Sequence, residues 1–313
     1  MITLISTNRK SAILSPSGLA CLKGTPAINL TSGCAHGCLY CYARGYSTYP
    51  GESKVVVYNN TLDKLKRELL SKRSKPRVVY FSPSSDMFQP IPDVLELCYS
   101  LLELLFSKGI GVAFLTKGCI PDKTMRLLIN HADMVKAQVG IITPDDSVRC
   151  IFEPNATSIE MRLQQMGKMV GGGIAVEARL MPILPGITDA ADSLDRLFQM
   201  IANTGVERAA ISTLFLRPAI AESLRRLIPD EQAVKILLDL YRGTERLAVH
   251  AGHSSVIPLP RLKREETYTR VRQMARKYSI EVSVCGCMNP DIGGTCNIGG
   301  KWLLPYIQPS LFD

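Results

Sequence analysis

Gly33-Cys34-Ala35-His36-Gly37-Cys38-Leu39-Tyr40-Cys41 sets three cysteines four and three residues apart, with a glycine on either side of the first. Thiolates at such short spacing can converge on one metal ion or one iron–sulfur cluster. A cubane cluster has four irons, and this run offers three ligands, so one iron would stay open to bind something else. A zinc knuckle is the alternative reading of the same run. Residues 27–31 (Ala-Ile-Asn-Leu-Thr) form a short apolar run that reads as a strand, and Ser32-Gly33 turns out of it into the cysteines. In barrel-like α/β folds, sites are built where such strands end.

Strand and helix patterns alternate downstream of the loop. The sequence predicts a β-favouring run at 55–58 and a helix at 62–70, then strands at 77–82, 111–116, 134–143, 173–181 and 208–214. Helices are expected at 93–108, 121–131, 158–170 and 189–203, with residues 156–158 supplying cap candidates for the third. About six repeated strand–helix units argue for a parallel sheet, an α/β fold and a partial (β/α)6 barrel. Residues 1–26 read as a loosely structured lead-in and 27–215 as the barrel. Residues 216–313 read as an extension with helices at 229–241 and 265–278, a strand at 280–284 and a cysteine-rich tail. Cys98 falls on a predicted helix and reads as core.

The cysteine spacing is the signature of radical S-adenosylmethionine (SAM) enzymes, and the chain resembles that superfamily. Within it, the order of motifs is similar to the spore photoproduct lyase-like branch, whose members are often labelled DNA repair photolyase. The matching stretches are Ile28-Asn29, residues 33–44, Ser85-Asp86-Met87-Phe88-Gln89-Pro90-Ile91, Thr116-Lys117, Phe152-Glu153-Pro154 with Arg162, and Pro182-Ile183-Leu184-Pro185-Gly186. They cover roughly residues 27–215 and are specific for the branch, not for one substrate. The resemblance implies a partial (β/α)6 radical SAM barrel with a 4Fe-4S cluster on Cys34, Cys38 and Cys41. It implies that the open iron chelates SAM, and that reductive cleavage yields a 5′-deoxyadenosyl radical for hydrogen abstraction. An electron donor such as flavodoxin or ferredoxin is implied as a partner.

The same resemblance nominates further residues. Tyr40 would lie near the SAM adenine, and Ser84, Asp86 and Lys117 are the candidate SAM contacts, Lys117 matching a lysine that meets the SAM carboxylate in true lyases. Asp86 reads alternatively as a turn carboxylate, and Lys117 as a surface lysine. Glu153 and Arg162 read either as cofactor-binding residues or as a pair bracing the barrel. Arg179 sits in an apolar strand, where an unpaired charge is costly, so it either faces the interior as a site residue or pairs with a carboxylate. Tyr40 and Tyr42 match tyrosines implicated in the radical relay and are the catalytic candidates. One departure stands out: true lyases carry a hydrogen-donating cysteine in the segment matching residues 82–86, which here reads Ser-Pro-Ser-Ser-Asp.

Cys285, Cys287 and Cys296 are the second cysteine group, in a glycine-rich tail. They can bind an auxiliary iron–sulfur cluster or zinc, with a fourth ligand from Cys21, His250, His253 or substrate, or they can stand as reduced thiols. Trp302, with Leu303, Leu304 and Tyr306, is expected to dock the C-terminus onto the barrel. A net charge of +9 permits an anionic partner, nucleic acid or a phosphorylated metabolite. Its densest stretch, Arg261, Lys263, Arg264, Arg270, Arg272, Arg276 and Lys277, reads as a phosphate-binding surface or as a solvated helix face. No apolar run approaches a membrane span, the first ten residues lack signal-peptide blocks, and ten cysteines suit a reducing compartment, so the expectation is a cytoplasmic protein. The competing class is a non-catalytic, zinc-stabilised nucleic-acid-binding module. A small metabolite or a peptide is the competing substrate.

Overall fold

The computed structural model describes residues 2–17, 20–249 and 254–294. The chain begins with β1 (Thr3–Thr7), the short β2 (Ser15–Pro16), β3 (Pro26–Ile28) and β4 (Thr31–Ser32). β5 (Lys54–Tyr58) and α1 (Thr61–Ser71) follow the cysteine loop. Alternation then sets in: β6 (Val78–Phe81), α2 (Pro92–Phe106), β7 (Gly111–Thr116), α3 (Asp122–Ile129), β8 (Val135–Gly140), α4 (Asp146–Phe152), α5 (Ile159–Gly171), β9 (Ala175–Ile183), α6 (Ala191–Ala202) and β10 (Arg208–Thr213). The remainder contains α7 (Pro218–Leu227), α8 (Glu231–Asp239), the hairpin of β11 (Leu247–Val249) and β12 (Ser254–Val256), α9 (Arg261–Arg276) and β13 (Glu281–Val284).

The main sheet has eight strands in the order β13-β10-β9-β8-β7-β6-β3-β2. Every neighbouring pair from β3 across to β13 is parallel, and β2 closes one edge antiparallel. The result is a mixed α/β fold with an open sheet, a partial barrel. Side chains alternate across each strand. Val79, Phe81, Val112, Phe114, Val139, Val176 and Leu180 belong to the main core with the helices, whereas Tyr80, Leu115, Arg179 and Met181 line an inner cavity. Burial on both faces explains why these strands read as nearly continuous apolar runs.

Three expectations change. The lead-in is not loose: β1 pairs in parallel with β5, and β5 with β4, in a separate three-stranded sheet. Ile13 and Leu22 are buried, and the Glu68 carboxylate accepts the N–H groups of Ile13 and Leu14 at 2.7 and 3.0 Å. The extension is not an appendage either, because β13 joins the main sheet beside β10. Finally, the basic helix α9 spends much of its charge internally. Arg264 pairs with Asp291, Arg261 with Glu265, Arg270 with Asp189 at 2.7 Å and Lys277 with Asp195 at 3.2 Å. Among the described residues no helix is long and apolar enough to cross a membrane. Cys296, His250, His253, Trp302, Leu303, Leu304 and Tyr306 lie outside the described residues.

Candidate functional site

Gly33 turns the chain out of β4 with φ +81°, and a Cβ there would lie 2.5 Å from the Lys54 carbonyl, so both dihedral and space call for glycine. The loop that follows is tethered by its backbone. Buried Gln89 accepts the Ala35 N–H at 2.9 Å and donates to Thr31 Oγ1 and the Asp86 carbonyl, each at 2.9 Å. Asn155 donates from Nδ2 to the Ala35 carbonyl at 3.1 Å and from its N–H to the His36 carbonyl at 3.2 Å. Arg44 donates to the carbonyls of Gly37 and Cys38, each at 3.0 Å, and pairs with Glu52. Cys34, Cys38 and Cys41 line a cavity of about 250 Å³ formed largely by the inner face of the sheet. Burial pushes the Cys34 thiol up and takes Cys38 to about 12 against the attraction of Lys117. Thiolates are the metal-binding form, so loading metal on this loop releases protons.

Asp86 is placed beside the loop, but its oxygens are occupied. Oδ1 accepts Phe88 N–H at 2.8 Å and Thr116 Oγ1 at 2.9 Å, and Oδ2 accepts Lys117 N–H at 2.7 Å with His36 Nε2 at 3.1 Å. Burial pushes the Asp86 pKa up, yet His36 and the backbone N–H groups outweigh it and the net shift is downward. Asp86 thus clasps the cysteine loop to the β7 terminus, as a turn carboxylate would, and also lines the cavity. His36, inside the cysteine run, was not singled out in the sequence; its burial comes from Asp86 and Asn155, which are distant in the chain.

Lys117 follows β7, and its half-buried side chain lines the cavity. Burial lowers its pKa, but Cys38 and Glu153 more than compensate and hold the ammonium protonated. Its path runs over Gly140, where a Cβ would come within 2.9 Å of the lysine Cγ and Cε. The ammonium lies 5.7 Å from the Tyr40 ring centroid. Behind Tyr40, its hydroxyl donates to Glu153, and Glu153 Oε2 lies 2.6 Å from Arg162 Nη1. Arg162 also donates to the Thr157 and Gly140 carbonyls at 2.7 and 2.9 Å. Glu153 and Arg162 are both fully buried, and neither is among the residues lining the cavity. Glu153 is the C-cap of the short helix α4.

Ser84 lines the cavity with its N–H and hydroxyl both donated to Asn29 Oδ1, at 3.1 and 2.9 Å. Tyr42 donates its hydroxyl to the Pro83 carbonyl. Burial pushes the phenols of Tyr40 and Tyr42 well up, so both are neutral. Arg179 lines the cavity and sits 3.6 Å from Glu177. Glu177 in turn accepts Gln138 Nε2 at 2.5 Å. This buried polar belt was partly missed, although Lys136, Gln138 and Glu177 break apolar strands at a spacing of two and carry that signal. Cys285 and Cys287 line the same cavity, joined by Cys21.

Among the described residues no group of three or more His, Cys, Asp or Glu is already drawn up as the ligands of a metal ion. The fit to an iron–sulfur cluster rests on donor chemistry: three soft thiols on one tethered loop, with the Lys117 ammonium at the same cavity.

A family profile for the radical SAM superfamily matches residues 28–199. An uncharacterized protein of Mycobacterium tuberculosis is 26% identical over 217 residues, covering 66% of this chain and 64% of its own length. A radical SAM Nα-GlyT isomerase of Pseudomonas phage M6 is 25% identical over 257 residues, covering 80% of this chain and 51% of its own. The chain thus spans less than two thirds of the length of these relatives. Among solved structures, spore photoproduct lyase complexed with dinucleoside spore photoproduct superposes with a TM-score of 0.67 at 17% identity. That match covers 90% of this chain and 81% of the lyase, and shows a shared fold.

Proposed function

We propose, on the premise that the chain belongs to the radical SAM superfamily, that it is an enzyme abstracting hydrogen from a nucleobase-bearing substrate. In this reading Cys34, Cys38 and Cys41 hold a 4Fe-4S cluster. The observation that carries it is the meeting of these three thiols with Lys117 and the Tyr40 ring at one cavity. When bound, cluster and SAM together supply reductive C5′–S cleavage and a 5′-deoxyadenosyl radical.

The chain's own residues do the rest. Lys117, protonated and half-buried at the cavity wall, offers a cation to the SAM carboxylate, where reduced solvent screening strengthens the pairing. Tyr40 has its hydroxyl spent on Glu153, so it offers the cavity a ring, which suits an adenine neighbour better than a proton or hydrogen relay. Tyr42 is held against Pro83 and keeps the relay role more readily. Ser84, clamped by Asn29, presents its acceptor lone pairs to a ligand. Arg179 and Arg217 line the cavity and suit an anionic substrate. Apolar walls exclude water and stray hydrogen donors from so reactive a radical.

The nucleobase assignment is supported by the fold shared with a lyase complexed with dinucleoside spore photoproduct. Residues 82–86 hold no thiol, so a thymine-dimer reaction with that donor is not proposed. A base in duplex nucleic acid would have to be flipped to reach the cavity. A flavodoxin or ferredoxin would supply the electron.

Anaerobic reconstitution followed by reduction with dithionite tests the reading. Iron, sulfide and 5′-deoxyadenosine release are expected, with release stimulated by oligonucleotides; Cys34→Ala/Cys38→Ala/Cys41→Ala should abolish release and lose the iron of that one cluster. Zinc in place of iron, with no SAM cleavage, would sink it in favour of a structural module. Stimulation by small metabolites or peptides and not by oligonucleotides would move the substrate class.

A further inference from the structure

We propose that Cys21, Cys285 and Cys287 form a second metal centre, an iron–sulfur cluster facing the cavity that the first three cysteines line. The inference deepens the radical SAM reading but stands on separate residues.

Cys21 lies 264 residues before Cys285, yet its backbone N–H donates to Cys287 Sγ at 3.1 Å. Hydrogen bonds to sulfur are among the contacts by which proteins tune iron–sulfur clusters. The three thiols pack in one group with Leu22, Tyr80, Leu115 and Met181, and all three line the cavity. Their surroundings are apolar, which limits solvent access to the site, and thiolate ligands select iron–sulfur clusters, zinc or copper(I) over harder cations.

The turn bearing Cys285 and Cys287 is also firmly anchored. Cys285 N–H continues the β13 pairing by donating to the Ile211 carbonyl at 3.0 Å. Its own carbonyl accepts Asn289 Nδ2 at 2.9 Å. Asn289 is fully buried, and its Oδ1 accepts Arg264 Nη1 and the Tyr268 hydroxyl, each at 2.9 Å. Arg264, itself buried, also pairs with Asp291. Two elements of the extension, α9 and β13, are thus committed to fixing these thiols at the cavity wall. Cys296 lies outside the described residues and is not needed to define the site.

Separation of the two centres needs a metal count, not only an activity. We would reconstitute the wild-type chain, Cys34→Ala/Cys38→Ala/Cys41→Ala, Cys285→Ser/Cys287→Ser and Cys21→Ser under anaerobic conditions. Iron, sulfide and zinc would be measured with the electron paramagnetic resonance spectrum of the reduced protein. The expected result is about eight irons in wild type, since each cubane carries four. About four should remain in the first variant and about four in the second, each with a distinct spectrum. Cys21→Ser should lose the second centre or shift its spectrum while the fold, read by near-ultraviolet circular dichroism, persists. About four irons in wild type, all lost with Cys34, Cys38 and Cys41, would overturn the inference while 5′-deoxyadenosine release kept the first reading alive. One zinc per chain lost with Cys285 and Cys287 would likewise overturn the cluster. Iron retained on Cys285 and Cys287 without any SAM cleavage in wild type would support the second centre and sink the first reading.

Discussion

Lys117 reaches its position because Gly140 leaves room beneath it. In the proposed role, Lys117→Met removes one charge-assisted hydrogen bond, worth about 1.5–3 kcal/mol. SAM binding to the reconstituted protein should weaken about ten- to hundredfold, measured by equilibrium dialysis, with cluster content unchanged. Gly140→Ala should produce a smaller loss in the same assay, because the added methyl displaces the lysine without removing its charge. An unchanged SAM affinity in both variants would return Lys117 to a structural role. Asp86 gives a pH prediction. Its pKa is lowered from 3.8, so its stabilisation is complete above that pH and is lost as the pH falls through the lower folded value. Asp86→Asn should therefore cost about 2 kcal/mol near neutrality, and the gap to wild type should close below pH 3.8 in urea titrations. That Cys34, Cys38 and Cys41 meet at one place was legible in their local spacing, whereas Lys117 came from the family resemblance and its place at the same cavity from the fold. Asp86 was half legible: the motif exposes the carboxylate, but His36 and Thr116, which occupy it, come from other segments.

At the scale of elements, α4 and α5 jointly carry the Glu153–Arg162 pair that backs Tyr40. Removing one partner of a buried ion pair leaves the other charge uncompensated, at a cost of about 3–5 kcal/mol. Arg162→Met should lower unfolding free energy by that amount in a denaturant titration, and Arg162→Met/Glu153→Met should recover most of it. Recovery would mark the pair as bracing; a double variant as unstable as the single one would point to Tyr40 or Gly140 as the partner that matters. The α5 boundary was readable from the sequence, since Ser158 caps it by accepting Met161 N–H at 3.3 Å. The seven-residue α4 was not, because two turns give too little periodicity to separate from a loop. The bracing role of Arg162 was left open for a related reason: spacing of nine residues places no constraint on a pair whose helices meet through the fold.

The whole molecule depends on its last described strand. β13 lies in parallel register on β10, and α9 covers both while tying Arg270 to Asp189 before α6. A boundary at residue 215 followed the fading of strand–helix alternation, which α7, α8 and a hairpin interrupt before β13 returns to the sheet. Such a return cannot be read locally, because one β-branched run of four residues carries no record of its neighbour. The energetics decide whether 216–294 is an appendage. Tyr268, Val271, Ile280 and Val284 are almost fully buried. At about 1.5–3 kcal/mol per large apolar side chain, their loss is on the order of 10 kcal/mol. That is comparable with the whole stability of a typical domain, about 5–15 kcal/mol. A chain ending at residue 215 should therefore fail to fold cooperatively, showing a broad denaturant transition and an expanded hydrodynamic radius, and should not retain a cluster on its intact cysteine loop. A chain ending at 294 should fold and hold iron. If the shorter chain unfolds sharply and loads about four irons, the barrel is self-sufficient and the sheet extension contributes only the second cysteine group.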